Sequence, residues 1–350
     1  MTALDTRACA LFGTRYPIVQ TGMGWVAGAR LAAATSAAGG LGVIASATLT
    51  YEQLETAVHA VQERTDAPFA VNLRADADDA PKRIALLIRE RVKVASFALA
   101  PSEALIKQLK DAGVVVVPSV GARRHAEKVA AWGVDAVICQ GGEGGGHTGS
   151  VPTTLLLPQI VDTVDIPVLA AGGFFDGRGL VAALAYGASG IAMGTRFLLT
   201  QESTVPDAVK QFYLGKQVSD TVVTTKVDGV PHRVLRTEMV DELEGSSPIT
   251  ALPRALRNAV GFKKISGLSW KQMVTEGLAM RKHGEMPWSG VIMAANTPML
   301  LKAAMVDGNL SGGVMASGQV VGVIDDLPTV ADLIDRIMGE ARDALARLGA

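Results

Sequence analysis

The sequence predicts an α/β fold, a closed (β/α)8 barrel with a smaller appended segment. Eight short apolar runs alternate with helix-like stretches between residues 16 and 193. Alternation of strands and helices indicates a parallel sheet, and eight such units favour a closed barrel over an open doubly wound sheet. Hydrophobic residues make up 49% of the 350-residue chain but aromatic residues only 5%, and glycines number 38. Small side chains of this kind suit tightly packed parallel strands and helices.

The elements follow one another in a regular order. Strands are expected over residues 16–20, 41–45, 69–72, 92–97, 114–120, 134–140, 167–171 and 190–193, and helices over 27–38, 51–63, 80–89, 102–111, 122–132, 153–161 and 179–186. Leu54, Val58 and Val61 show the spacing of one apolar helix face. Gly39 and Gly40 provide the usual C-terminal stop of the first predicted helix.

The alternation ends near residue 200. Residues 1–205 and 310–350 are predicted to form the barrel and its closing C-terminal segment, and residues 206–309 a helical substrate or lid domain. Polar and apolar residues alternate over 221–230 around Asp228 and Gly229, which predicts a hairpin. Helix-like stretches follow at 251–260, 270–281 and 298–306. The glycine-rich stretch 310–323 is expected to fold back onto the barrel mouth, and the helix 330–348 to pack on the barrel or to form a contact in a homo-oligomer.

Composition argues against several classes of protein. Lys and Arg total 33 against 34 for Asp and Glu, a net charge of -1, which disfavours a nucleic-acid partner. The N-terminal residues lack the pattern of a signal peptide, and no apolar run is long enough to span a bilayer. We therefore expect a soluble, cytoplasmic protein that acts on a small molecule. Cys9 and Cys139 form no CxxC motif, and Cys139, inside an apolar run, is expected to be a packed core thiol.

The glycine-rich run QGGEGGGHTG, residues 140–149, is the main candidate for a functional loop. Glycine lets the backbone come very close to another group, because it carries no side chain. His147 is the side chain of this run that can move a proton near neutral pH, and it is the predicted catalytic base. Gly144, Gly146 and Gly149 also match GxGxxG, but the acidic residue that a dinucleotide site requires on the next strand is missing.

Two further strand ends predict a phosphate site. In barrels of this type the loops after strands seven and eight commonly hold phosphate, and here they contain Gly172 and Gly173, and Gly194 and Thr195. Asn72, at the end of the third strand, has an amide suited to the polar edge of a heterocycle. An ordinary turn-forming asparagine is an equally good interpretation of that residue.

No metal site is predicted. The five histidines show neither HxxxH nor HxH spacing; they are His59, His125, His147, His232 and His283. Basic residues after strand eight are either solvated surface or a group that meets an anionic handle such as a CoA phosphate; they include Arg233, Arg236, Lys263, Lys264, Arg281 and Lys282.

Several motifs together carry a family resemblance. The chain contains PIVQTGMGW, FAVNL, VDAVICQGGEGGGHTG, PVLAAGGFFDG and GIAMGTRFLLTQES. They resemble the nitronate monooxygenase-like flavoproteins, once called 2-nitropropane dioxygenases, and the likeness covers nearly the whole chain. The segment ending in GGH is the most specific part, although the family usually reads EAGGH where this chain has EGGGH. The downstream segments VVTTKVDGVPHRVLRTE and MAANTPMLLKAAMVDGN are similar to a branch found in bacterial steroid degradation, which acts on a CoA thioester of the residual C and D rings.

The resemblance implies a TIM barrel that binds FMN non-covalently. His147 would be the catalytic base, Gly22 and Met23 would lie along the flavin, Asn72 and Gln140 would contact its polar edge, and Gly145 would line its ring. The phosphate would be held by Gly172, Gly173, Gly194 and Thr195, with Met193 next to them on its strand. NAD(P)H is an expected reductant or other electron partner.

These observations lead to a leading hypothesis and four alternatives, which fall into three classes of protein. The leading hypothesis is an FMN oxidoreductase in which His147 exchanges a proton at an acidic C–H of a ring-derived acyl-CoA. Within the same class, the alternatives are a nitronate monooxygenase and an NAD(P)H-dependent quinone or enoyl-thioester reductase. A flavin-free lyase or isomerase that binds a phosphorylated metabolite is a second class, and a barrel that binds ligand without turnover is a third.

Overall fold

The computed structural model describes residues 3–98, 100–245 and 296–349. Its strands are β1 (Ile18–Gln20), β2 (Gly42–Ala45), β3 (Phe69–Leu73), β4 (Val94–Phe97), β5 (Val115–Val120), β6 (Val137–Gln140), β7 (Gly146–His147), β8 (Val168–Ala171), β9 (Gly190–Met193), β10 (Thr221–Thr224) and β11 (His232–Leu235). Eight of them form one parallel sheet in the order β1-β9-β8-β6-β5-β4-β3-β2.

The two edge strands of this sheet meet. A parallel bridge joins Val19 to Leu41, where Leu41 donates its N–H to the carbonyl of Ile18 at 2.9 Å and Gln20 donates to the carbonyl of Leu41 at 3.0 Å. The sheet therefore closes on itself, and the prediction of a (β/α)8 TIM barrel is confirmed.

Helices surround the barrel and extend beyond it. They are α1 (Arg7–Phe12), α2 (Ala29–Ala37), α3 (Tyr51–Gln62), α4 (Ala80–Arg89), α5 (Glu103–Asp111), α6 (Arg123–Ala131), α7 (Thr153–Val161), α8 (Gly177–Ala185), α9 (Thr195–Leu198), α10 (Asp207–Leu214), α11 (Glu238–Gly245), α12 (Asn296–Met305) and α13 (Val330–Leu348). Side-chain caps fix several starts; Thr50 and Gln53 form a reciprocal capping box on α3. Within the described residues, no helix has the length and apolar character needed to cross a membrane.

The barrel has an inner and an outer core. Alternate strand residues point inward, where small aliphatic side chains such as Val43, Ala70 and Val94 pack together. Phe12 of α1, 1% exposed, joins this inner cluster, while the opposite strand faces pack against the surrounding helices. The short N-terminal helix thus packs with the barrel interior, and the loops at the carboxyl ends of the strands are left for a functional site.

Most elements lie where the sequence predicts them, with ends that differ by up to three residues. The helices α4, α7 and α13 and the strand β9 have the predicted bounds, and the predicted helix 298–306 corresponds to α12. The sequence interpretation missed α1, α9, α10 and α11. The predicted helices 251–260 and 270–281 lie outside the described residues, so the division into a barrel and a 206–309 domain stays a prediction.

The predicted hairpin is confirmed and extended by a third strand. β10 and β11 pair antiparallel, with Asp228 and Gly229 in the connection between them. β11 also pairs with β7, which places His232 opposite His147 and Arg233 opposite Gly146. The glycine loop of the barrel is thereby hydrogen-bonded to the hairpin that follows the barrel.

The C-terminal segment returns to the barrel mouth, as predicted. Leu235 donates its N–H to the carbonyl of Met315 at 2.8 Å, and Gln319 donates to the carbonyl of Glu143 at 3.0 Å. The final helix α13 then packs along α8, where the Gly177 N–H donates to a Glu340 carboxylate oxygen at 2.8 Å. The packing role expected for this helix is confirmed.

Candidate active site

The predicted site residues lie at or next to the carboxyl ends of the barrel strands. They follow β1 (Gly22, Met23), β6 (Gly145, His147), β8 (Gly172, Gly173) and β9 (Gly194, Thr195), or occupy the ends of β3 (Asn72), β6 (Gln140) and β9 (Met193). This common placement follows from the parallel sheet, because the carboxyl ends of parallel strands share one face of the barrel.

One side of the mouth is formed by β1 and β3. A Cβ placed on Gly22 would lie 2.6 Å from the Cβ of Asn72, so only glycine lets the two loops come so close. The Asn72 amide donates to Ser96 Oγ at 3.3 Å, which orients its oxygen and its second amide hydrogen. Asn72 is therefore held by its neighbours and still has hydrogen-bonding capacity for a ligand.

The opposite side combines the glycine loop with the C-terminal segment. A Cβ on Gly145 would lie 2.5 Å from the backbone nitrogen of Gly318, and the Gly318 N–H donates to Thr195 Oγ1 at 2.9 Å. Thr195, 8% exposed, thus accepts a hydrogen bond from the protein while its own O–H can still donate. The sequence did not predict the contact with Gly318.

The loop after β8 exposes its backbone. Gly172 and Gly173 have φ of 92° and 90°, in a region of backbone conformation that residues other than glycine rarely adopt. Gly172 lies against the glycine loop, where a Cβ would be 3.0 Å from the carbonyl oxygen of Gly141. Within the described part of the chain, a Cβ on Gly173 would meet only the Cβ of Glu143, at 3.9 Å. Gly173 is also exposed, so its main chain is accessible to a ligand.

At the end of β9, the main chain of Met193 and Gly194 contributes more to the candidate site than their side chains do. Met193 is 2% exposed and its side chain belongs to the core between the sheet and the helices. Its carbonyl accepts the N–H of Thr21 at 3.1 Å. Gly194 lies beside Met23, with a Cβ position 3.4 Å from the Met23 sulfur. Any ligand contact of Met193 would therefore involve its main chain.

Three side chains fix the shape of the glycine loop. Gln140 donates its amide N–H to the carbonyl of His147 at 2.7 Å, and Arg233 donates two N–H groups to the carbonyl of Gly142 at 2.9 and 3.1 Å. The Glu143 carboxylate accepts from the N–H and the hydroxyl of Thr153, which caps α7 in place of Pro152. The loop is rich in glycine but fixed by these bonds.

His147 has a buried acidic partner. Its ring Nε2 lies 2.6 Å from Asp228 Oδ2, and the side chains are 59% and 6% exposed, respectively. His232, 4% exposed by its side chain, has its Nδ1 3.5 Å from the same Asp228 oxygen. The two imidazole rings are 4.6 Å apart between centroids and inclined by 54°. One face of the His147 ring is thus enclosed by the hairpin, and the rest of the side chain faces the barrel mouth.

Asp228 is ionised in this arrangement. Burial would raise the pKa of its carboxyl group, but the two neighbouring imidazoles outweigh burial and hold the pKa well below its usual range. His147, Asp228 and His232 also form a set that could ligate a metal. Two ligands of one tetrahedral zinc would lie about 3.3 Å apart, whereas 2.6 Å between Nε2 and Oδ2 is the length of a charge-assisted hydrogen bond.

Cys139 is a packed core thiol, as predicted. It is completely buried, and burial, followed by the nearby charge of Glu143, raises the pKa of its thiol to about 12. A thiol of this kind is not a nucleophile at neutral pH.

The described basic residues are engaged within the protein. Arg233 holds the glycine loop and also donates to Thr221 Oγ1 at 3.0 Å, and Arg236 pairs with Asp241 at 2.9 Å. These two residues are therefore not the open anion-binding group that the sequence suggested. Lys263, Lys264, Arg281 and Lys282 lie outside the described residues.

A family model described as nitronate monooxygenase matches residues 5–83 and 78–340. The chain belongs to the nitronate monooxygenase family. It is 63% identical over 350 residues to a protein of Rhodococcus jostii (strain RHA1), covering 100% of this chain and 99% of the relative, and 61% identical over 341 residues to one of Mycobacterium tuberculosis (strain H37Rv), covering 97% and 96%. Both relatives are named (3aS,4S,5R,7aS)-5-hydroxy-7a-methyl-1-oxo-octahydro-1H-indene-4-carboxyl-CoA dehydrogenase.

Other relatives and solved structures are less similar to this chain. A probable nitronate monooxygenase of Staphylococcus saprophyticus is 32% identical, over 73% of this chain and 86% of its own length. FabK from Thermotoga maritima has 34% identity and a TM-score of 0.82, covering 98% of both chains. A nitroalkane oxidase from Streptomyces ansochromogenes has 27% identity and a TM-score of 0.77, covering 97% of this chain and 99% of its own. The chain is thus a flavin-dependent oxidoreductase of the nitronate monooxygenase-like family.

The residues at the mouth fit the flavin of this family. Gly22 and Gly145 bring their loops close to Asn72 and Gly318 at the mouth, and the exposed main chain at Gly173 suits a phosphate. The amides of Asn72 and Gln140 each keep hydrogen-bonding groups that their internal bonds do not use.

The sequence interpretation missed Asp228 and His232. It treated Asp228 as a turn residue and His232 as one of five histidines without metal-ligand spacing. The pair is separated by four positions, and its members come to His147 only because β11 pairs with β7. The spacing DxxxH in a hairpin connection was the available signal, but it does not indicate which strand the hairpin joins.

Proposed function

We propose that this protein is an FMN-dependent dehydrogenase that acts on a ring-derived acyl-CoA thioester, with His147 as the catalytic base. The observation that supports the base most directly is the hydrogen bond between His147 and the ionised, buried Asp228, at 2.6 Å. The substrate class is supported by the two relatives at 63% and 61% identity, whose names describe a hydroxy-methyl-oxo-octahydroindene carboxyl-CoA. The substrate would then be a bicyclic residue of steroid degradation.

Different residues would bind the FMN and transfer the proton in this reaction. The backbone around Gly172, Gly173 and Gly194 would hold the FMN phosphate, and Asn72 and Gln140 would hold the polar edge of the ring. When bound, the flavin supplies the redox step by exchanging hydride or electrons at its N5 atom. His147 takes or returns the proton at the substrate carbon that the neighbouring carbonyl makes acidic.

The electron partner belongs to the same proposal. NAD(P)H or NAD(P)+ would exchange electrons with the flavin in the second half of the cycle. Oxidation of an alkyl nitronate with O2 is the second candidate, because a probable nitronate monooxygenase is 32% identical over 73% of the chain.

An anaerobic absorbance titration of the purified protein tests the proposal. NADH, NADPH, an alkyl nitronate and a steroid-ring acyl-CoA are added separately to the oxidised protein. We expect the acyl-CoA or a pyridine nucleotide to bleach the flavin bands and the nitronate to leave them unchanged. Bleaching by the nitronate alone would identify a nitronate monooxygenase, and a colourless protein with turnover would favour a flavin-free lyase or isomerase.

His147→Ala tests the base. The variant is expected to keep its flavin and to slow substrate-dependent flavin reduction about 10²- to 10⁴-fold, the usual effect of removing a general base. Stopped-flow absorbance measures the rate under anaerobic conditions. Near-normal reduction would remove His147 from the mechanism.

A further inference from the structure

We infer that Asp228 is a positioning residue that keeps the proton of neutral His147 on Nε2, so that Nδ1 is the atom that accepts the substrate proton. This inference rests on the proposed function of His147 as the base. It adds which ring nitrogen reacts and which side chain determines that choice.

The tautomer follows from the hydrogen bond. An ionised carboxylate only accepts hydrogen bonds, so the nitrogen that faces it must carry the hydrogen. Here Nε2 of His147 faces Asp228 Oδ2 at 2.6 Å. No hydrogen bond to Nδ1 of His147 occurs among the residues that the structure describes. Nδ1 therefore keeps its lone pair, as a base requires.

The carboxylate is itself held in place. Asp228 Oδ1 accepts the N–H of Val230 at 3.2 Å within the hairpin connection, and the Asp228 side chain is 6% exposed. With Oδ1 engaged by the backbone, Oδ2 is turned toward the imidazoles. A buried acceptor that cannot rotate into water fixes the ring plane of His147 as well as its tautomer.

His232 packs against the ring of His147. Both of its ring nitrogens are buried and form no hydrogen bond within the described part of the chain. Its ring lies 4.6 Å from that of His147, centroid to centroid, at the facing position of the β7–β11 pair. This contact limits the rotation of the His147 ring about its side-chain bonds.

Asp228 is the charged side chain that faces His147 among the described residues. Asp228 and His232 face it from the hairpin, whereas Glu143 on its own loop is turned to Thr153 and Arg233 on β11 is turned to Gly142. The carboxylate of Asp228 is therefore placed to stabilise the imidazolium that forms when His147 accepts a proton.

The decisive variant is Asp228→Asn in the flavin-loaded protein. We expect unchanged flavin content and substrate-dependent flavin reduction slowed about 10- to 10³-fold. Glu90→Gln is the matched control, because Glu90 forms a histidine–carboxylate pair with His59 at 3.1 Å on the protein surface. It should change neither quantity.

Nitrogen NMR of the oxidised wild-type protein tests the tautomer without substrate. Neutral His147, assigned by comparison with His147→Ala, is expected to show a protonated Nε2 and an unprotonated Nδ1. A protonated Nδ1 would overturn the inference, as would an Asp228→Asn variant that reduces the flavin at the wild-type rate. Because NMR needs no turnover, it tests the tautomer even if the proposed substrate does not react. If no acyl-CoA reduces the flavin, that result counts against the proposed function alone.

Discussion

At the carboxyl end of β8, Gly173 combines a φ of 90° with a Cβ position that meets only the Cβ of Glu143, at 3.9 Å, among the described residues. That distance is an ordinary van der Waals contact, so the effect of a substitution depends on backbone strain and on charge. We predict that Gly173→Asp yields protein with little bound flavin, because the carboxylate would lie against the flavin phosphate.

The matched control is Gly173→Asn, which has the same shape and imposes the same strain without the charge. It should bind FMN at least about 10-fold more tightly than Gly173→Asp, a difference of about 1.4 kcal/mol. Titration of the apoproteins with FMN, followed by absorbance, measures both affinities. Equal affinities would show that the phosphate lies elsewhere.

At the residue scale, the sequence was sufficient to place His147 and the strand-end glycines at the carboxyl ends of the barrel strands, where they lie in the structure. Their roles toward a flavin stay predictions. Asp228 could not be assigned in this way, because it lies 81 positions from His147. Its role depends on the register between β7 and β11, which is a long-range property.

At the scale of elements, prediction succeeded where a strand or helix carries its own pattern. The barrel strands are apolar runs with clear glycine stops, and α13 has a regular apolar face. The six-residue α1 is too short to show a helical period. The two-residue β7 has no pattern of its own, since its partner strand creates it.

The contact between α8 and α13 provides a test of packing. A Cβ on Gly177 would lie 2.3 Å from the backbone nitrogen of Ala341 and 2.4 Å from the carbonyl oxygen of Ile337. Gly177→Ala must therefore push α13 away, and it should lower the free energy of unfolding by about 1–3 kcal/mol. Denaturant titration followed by circular dichroism measures the loss.

Gly339, within α13 itself, is the control for this substitution. Apart from its neighbours in α13, no described residue lies within 4 Å of a Cβ placed there, and alanine is the better helix former. Gly339→Ala should raise the free energy of unfolding by about 0.5–1 kcal/mol. Opposite signs for the two changes would locate the effect in the α8–α13 contact, and a neutral Gly177→Ala would contradict the packing described for it.

At the scale of the whole molecule, Asp326 helps to link the barrel to its C-terminal segment. Its carboxylate lies between two guanidinium groups. Asp326 accepts a hydrogen bond from Arg196 at 2.8 Å and one from Arg336 at 2.5 Å. Arg196 is 2% exposed and follows β9, whereas Arg336 belongs to α13. Burial would raise the pKa of Asp326, but the hydrogen bonds from these two residues hold it below its usual range.

The lowered pKa gives this link a definite pH dependence. A carboxyl group whose pKa is lower in the folded protein stabilises it above the unfolded value, about 3.9, and that stabilisation is lost as the pH falls through the folded pKa. Asp326→Asn should lower the Tm by about 2–5 °C at pH 7, because the buried Arg196 loses its counter-charge. The gap between the variant and the wild type should close as the pH falls through the folded pKa, because Asp326 is then protonated in both states. Thermal melts at several pH values measure the difference in Tm. Asp325→Asn, at an exposed position, is the control and should leave the Tm unchanged at every pH. A Tm difference between Asp326→Asn and the wild type that stays constant at all pH values would mean that Asp326 acts through its shape and not through its charge.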